Sequence, residues 1–163
     1  MTSSRLMRVE ESATIRISNI ANRMIKEGKD VINFSLGEPD FSTPKNICDA
    51  AAKAMYEGKT HYAPSAGVPE LRAAIAEKLR TENNLDVTET NVMVTPGAKQ
   101  AIFEIMMGVL GDGDQALLFD PAWVTYDACI RFSGADTVWV PTIPEKGFLP
   151  DNFADYINDK TKL

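Results

Sequence analysis

The sequence predicts an α/β fold, a mainly parallel sheet with crossover helices, and three observations predict it. Strand-like and helix-like segments alternate after about residue 30, as they do where parallel strands are joined by helices. Val68, Leu71, Ile75 and Leu79 recur at helical spacing, which makes 68–80 an amphipathic helix. In the centre, residues 91–95 read as a strand, Pro96-Gly97 as a turn, and 99–110 as a helix carrying Ile102, Ile105, Met106, Val109 and Leu110.

The other elements follow in order. Ser12 can cap a first helix that Gly28 ends, with Ile17, Ile20, Met24 and Ile25 on a loose apolar face. Its terminal position suits an arm. Val31 to Leu36 reads as a short strand, and Thr43-Pro44 opens a helix with a capping hydroxyl and a proline at its first position, stopped at Gly58. Residues 111–114 form a loop, 115–119 a strand, 122–132 a helix stopped by Gly134, 137–140 a strand and 151–158 a short helix.

Composition bounds the function. With 163 residues, 44% of them hydrophobic and 25% charged, the chain can bury one core. A net charge of -6 gives no electrostatic reason to bind nucleic acid or an anionic membrane, and neither partner is expected. Cys48 and Cys129 lack CxxC spacing, so no metal site is expected and both read as buried reduced thiols. No apolar run reaches the roughly 18 residues of a membrane span, and Glu10 and Glu11 argue against a transit peptide, so a cytoplasmic protein is expected.

Several residues could carry chemistry. A glycine turn from strand into helix places unpaired N–H groups and the positive end of the helix dipole together, a natural phosphate seat. Pro96-Gly97-Ala98-Lys99 has that pattern without the GxxxxGK[ST] or GxGxxG of a nucleotide site. A plain connecting glycine explains the same turn, and residue chemistry leaves both readings open. Trp123 is a core anchor or a cofactor contact, Tyr62 a half-buried interface aromatic or a ligand contact. Gly37 is explained without function if its φ is positive. His61, the single histidine, has no partner arranged beside it for base catalysis. Glu38 and Asp40 flank a proline in a turn, which favours surface roles.

Four motifs stand in fixed order: SLGEPDF at 35–41, HYAPSAGVPELR at 61–72, VTPGAKQA at 94–101 and FDPAWVTY at 119–126. Together they resemble fold type I, class I/II aminotransferases dependent on pyridoxal 5'-phosphate (PLP), aspartate aminotransferase-like. The resemblance implies an incomplete large domain of that fold preceded by an N-terminal helical arm. Residues 1–36 would be the arm and part of the small domain, and 37–163 the first part of the PLP-binding domain. It implies that Gly97, Ala98 and Lys99 hold the PLP phosphate and that Trp123 stacks on the pyridine ring. Tyr62 would reach the phosphate of a neighbouring subunit's cofactor, which implies a homodimer. Gly37 would lie against the substrate carboxylate, and Thr14 would line the mouth.

The implied activity is reversible amino transfer between an amino acid and a 2-oxo acid, with aspartate and 2-oxoglutarate as the default pair, a step of amino-acid metabolism and biosynthesis. Relative to the family, the sequence reads as an N-terminal fragment without the half that holds the Schiff-base lysine. No catalytic residue is therefore expected in it, and no transamination by these residues alone. A PLP-dependent C–S lyase of the same fold, or a non-catalytic phosphate-ligand or dimerisation module, would use the same motifs.

Overall fold

The computed structural model describes residues 2–35 and 37–163, and the chain divides into two compact units. One unit takes residues 1–36 and 97–163, and the other is the continuous stretch 37–96.

The first unit is built on a crossover. Strand β1 (Gln115–Asp120) lies parallel to β2 (Asp136–Ile143), in register from Gln115 opposite Asp136 to Asp120 opposite Pro141. The helix joining them, Val124–Ser133, ends at Gly134, whose φ of 103° is one that side chains rarely adopt. A two-residue strand β3 (Leu149–Pro150) pairs antiparallel with the end of β2. On the free side of β1, the N–H of Gln115 donates to the Lys160 carbonyl at 2.8 Å and that of Leu117 to the Leu163 carbonyl at 2.8 Å, so residues 160–163 begin another parallel strand. The mixed α/β architecture with a small, mostly parallel sheet is the one the alternation predicts.

Helix Ala98–Val109 packs on helix Val124–Ser133, with Phe103 and Phe132 at 5.6 Å between ring centroids. Met106, Leu110, Ala116, Cys129, Ile130 and Ala135 form the buried core beneath them, and Ile102, Leu118 and Tyr126 pack against it. In order along the chain, the helices are α1 (Ala13–Lys26), α2 (Lys45–Tyr56), α3 (Pro69–Asn83), α4 (Ala98–Val109) and α5 (Val124–Ser133).

Several sequence expectations change. Ser12 precedes α1 but its side chain does not cap it, because Ser12 Oγ lies 3.3 Å from Thr14 Oγ1 instead. Residues 31–35 form no strand, and Ile32 and Phe34 are exposed; Leu36 lies outside the described residues. Nor is there a strand at 91–95. A 3-10 turn occupies Glu89–Asn91, Arg72 donates to the Val92 carbonyl (2.9 Å) and the Glu89 carbonyl (2.6 Å), and Val94 N–H goes to the Ala66 carbonyl. Groups that a ladder would use are already satisfied by a side chain and a loop.

Pro44 sits at the cap position of α2, not at its first turn, and no side chain caps that helix. α3 runs three residues beyond the expected end and stops at Asn84 in the left-handed conformation; Ala76, outside the apolar stripe, is its most buried residue. α5 starts two residues late because Trp123 is extended, and 151–158 yields only a 3-10 turn at Phe153–Tyr156. Cys129 is buried as expected, whereas Cys48 is exposed.

Candidate active site

Gly97 heads α4 with φ 86° and ψ 161°, a backbone region essentially restricted to glycine. A Cβ there would meet nothing within 4 Å, so it is the backbone angle and not crowding that demands glycine. No side chain caps α4, and Ala98 and Lys99 lie exposed in its first turn. First-turn N–H groups have no intrahelical acceptor, and the helix dipole adds positive potential at the same point. An anion with several oxygens suits that end.

Trp123 stands at the start of the crossover that follows β1, held extended just before α5. It is half exposed, which is not how a core anchor behaves. The Lys99 Nζ lies 6.0 Å from the centroid of its ring, at the reach of a cation–π contact. Within one unit the fold therefore brings together an uncapped helix start, an ammonium and an aromatic face. Among the described residues Lys99 forms no ion pair, and its side chain is exposed.

Beside this cluster lies a cleft of about 530 Å³. Residues 8–13 and Ile15 form one wall, and Lys99, Val124, Thr125, Arg131 and Trp139 belong to the others. Thr14 is half-buried in the first turn of α1 but is not among the lining residues, whereas Ser12 and Ala13 are. Arg131 Nε spans both oxygens of Asp127, at 3.0 and 2.9 Å, so this pair offers the cleft little net charge. Below it, burial pushes the Cys129 thiol up, and the Lys99 charge offsets part of that rise.

The remaining expected residues belong to the second unit. Tyr62 is fully exposed in the connection between α2 and α3, so the half-buried reading fails within this chain. Gly37 is exposed, is not among the glycines at positive φ, and has open space where a Cβ would stand. A backbone constraint therefore does not explain it. His61, Glu38 and Asp40 are exposed as well. Among the described residues no group of three His, Cys, Asp or Glu side chains gathers to hold a metal, and no helix is long and apolar enough to cross a membrane.

Sequence reasoning missed the cleft residues Arg8, Arg131 and Trp139. The Asp127–Arg131 pair was readable from its i,i+4 spacing. Arg8 had no local signal at all, because its partner Gly134 is 126 residues away.

A model of the aminotransferase class I and II family matches residues 29–162. The chain is 44% identical over 149 residues to an aspartate/prephenate aminotransferase of Thermus thermophilus, covering 91% of this chain and 39% of that protein. Among solved structures, the aspartate aminotransferase from Thermus thermophilus with maleate superposes with a TM-score of 0.95 at 42% identity, over 99% of this chain and 43% of that one. An alanine aminotransferase from Pyrococcus furiosus gives 0.92 at 33% identity, over 99% of this chain and 41% of that one. The chain thus spans about two fifths of the length of the relatives it matches.

Proposed function

This chain belongs to the aminotransferase class I and II family, and we propose that the whole protein moves an amino group between an amino acid and a 2-oxo acid with PLP as cofactor. The observation that carries the reading is the meeting, within one unit, of the glycine-led start of α4 with the Lys99 ammonium and the Trp123 ring. These fit the two ends of such a cofactor, a phosphate and a flat heteroaromatic ring. PLP, when bound, supplies the electron sink for bonds at the amino acid's α-carbon.

The residues of this chain would bind and orient. The first-turn N–H groups of Ala98 and Lys99 would donate to phosphate oxygens, Gly97 giving the backbone its approach, and the Lys99 ammonium would balance the phosphate charge. Trp123 would restrain the ring plane by stacking. Tyr62, exposed to 107% of its reference area, would present its hydroxyl to the phosphate of a second subunit, making the working form a homodimer. Gly37 would leave room for the substrate carboxylate, and Thr14 would stand at the mouth. Residues 1–36 would serve as arm and small-domain part, and 37–163 as the first part of the cofactor domain. None of these 163 residues is assigned the proton transfer, so the chain alone should be inactive. Aspartate with 2-oxoglutarate is the proposed pair, and the cytoplasm the proposed compartment.

The test is turnover by the whole protein, loaded with PLP and offered, with 2-oxoglutarate as acceptor, aspartate, alanine and a C–S lyase substrate such as cystathionine. Oxaloacetate formation matched by glutamate supports the proposal. Pyruvate and free thiol from cystathionine without amino transfer would replace it with the lyase, and phosphate binding with neither product would leave a ligand module.

A further inference from the structure

Tyr62 stands in the stretch between α2 and α3, and among the described residues neither its backbone nor its hydroxyl forms a hydrogen bond. Its position therefore comes from what flanks it in the 37–96 unit. Upstream, Lys59 N–H donates to the Ala54 carbonyl and Thr60 N–H to the Gly58 carbonyl, bonds that finish α2, a helix with no buried residue. Downstream, Gly67 N–H closes a turn on the Pro64 carbonyl at 2.8 Å, and Val94 N–H reaches the Ala66 carbonyl at 3.0 Å. The upstream bonds are local, whereas the bond from Val94 ties this stretch to a distant part of the chain.

That docking is close, and Arg72 braces it. A Cβ on Gly67 would stand 2.7 Å from Val94 Cγ2 and 2.8 Å from Val94 Cβ, and the φ of +100° at Gly67 is one that side chains rarely adopt. The same Cβ would come within 3.8 Å of Arg72 Cγ, so the arginine's stem lies beside the contact. From near the start of α3 the guanidinium then spans two carbonyls, Nε donating to Val92 at 2.9 Å and Nη2 to Glu89 at 2.6 Å. It thereby grips the 3-10 turn Glu89–Asn91 together with the buried Val92. Two carbonyls on one planar cation fix orientation as well as distance, which a single bond does not. Segment 89–94 is thus anchored two residues before the amide that holds Ala66.

We propose that Arg72 is a positioning residue for Tyr62: by clamping 89–92 it presents Val94 to the turn at Ala66 and Gly67, and so fixes where the loop offers the Tyr62 hydroxyl to a phosphate. The clamp rests on these hydrogen bonds, and the ligand it serves rests on the proposed function. Losing the guanidinium frees two carbonyls, lets 89–94 shift and loosens the turn beside Tyr62. The hydroxyl then meets the phosphate in a smaller fraction of molecules, and affinity falls although Arg72 itself touches no ligand.

The test is a double-mutant cycle on the whole protein, read by PLP titration and by amide hydrogen exchange. Tyr62→Phe should weaken PLP binding roughly threefold to tenfold, the loss of one hydrogen bond to a charged acceptor. Arg72→Ala should weaken it roughly twofold to fivefold when Tyr62 is present and less than about 1.5-fold in the Tyr62→Phe background, because both changes remove the same bond. Exchange at the Val94 and Gly67 amides, both hydrogen-bonded, should speed up in Arg72→Ala, with Leu117 in β1 unchanged. Arg72→Lys, which reaches one carbonyl, should recover part of both effects, and it carries the same cycle if the alanine variant does not fold. Equal losses of PLP affinity in both backgrounds overturn the proposal and assign Arg72 to general stability. Unchanged exchange at Val94 and Gly67 overturns the clamp whether or not PLP binds, because that readout needs no cofactor. PLP affinity untouched by Tyr62→Phe, with faster exchange in Arg72→Ala, overturns the Tyr62 contact of the proposed function, and with it what Arg72 positions, while the clamp itself stands.

Discussion

The Lys99 ammonium lies 6.0 Å from the centre of the Trp123 ring, joining the first turn of one helix to the residue just before another. The two side chains come from the starts of two separate helices of one unit, and neither motif alone reveals that they meet. A cationic group beside an aromatic face would suit a ligand that is anionic at one end and flat at the other.

Replacing Trp123 should therefore act on the ring and replacing Lys99 on the phosphate. Trp123→Leu is expected to weaken PLP binding roughly threefold to tenfold while leaving inorganic phosphate affinity unchanged. Lys99→Gln should weaken both ligands, and Lys99→Arg should restore phosphate. Isothermal titration with each ligand checks this, and equal losses for both ligands in Trp123→Leu would count against stacking.

Two glycines should respond oppositely to alanine. Gly97→Ala forces a side chain into a glycine-only backbone region and should cost about 1–3 kcal/mol of stability, with weaker phosphate binding. Gly37→Ala meets neither a positive φ nor a neighbour within 4 Å, so its stability should change by less than about 1 kcal/mol. Chemical denaturation of both variants measures this. Activity lost from a stable Gly37→Ala would then report a substrate contact.

The thiols give a pH-dependent signature. Native protein should expose Cys48 and protect Cys129 from a thiol-specific reagent, with both reacting in denaturant. Burial raises the Cys129 pKa, so its neutral form stabilises the folded state fully below the ordinary thiol value of 9.0, and that contribution is lost as pH rises through the higher folded value. Stability of the wild type should fall above pH 9.0 relative to its own neutral-pH value more steeply than that of Cys129→Ala. Identical slopes would show that the thiol ionises equally in both states.

How much was legible depended on the range of the interactions. Helices α1 and α4 were readable to within a residue or two, because apolar spacing and terminal glycines are local signals. The expected strands at 31–36 and 91–95 were not, since a strand exists only with partners. The sequence cannot say that Arg72 and Ala66 take up the groups near Val92. At the site, Gly97 carried its own evidence, whereas the Lys99–Trp123 meeting needed the packing of α4 on α5. Arg8 was invisible because nothing within its own segment distinguishes it from a solvated arginine.

The unit formed by 1–36 and 97–163 is interrupted by a whole second unit, and that order has a cost in time. Arg8 leaves the ribosome 126 residues ahead of Gly134, which at typical rates of synthesis is a delay on the order of ten seconds. Stretch 37–96 is contiguous and can complete its internal contacts during that interval. The N-terminal segment, with Ile15, Ile17 and Ile20 exposed, has no acceptor for its arginine until α5 has been made. Until then the segment waits with its arginine unlatched, long after 37–96 has been synthesised.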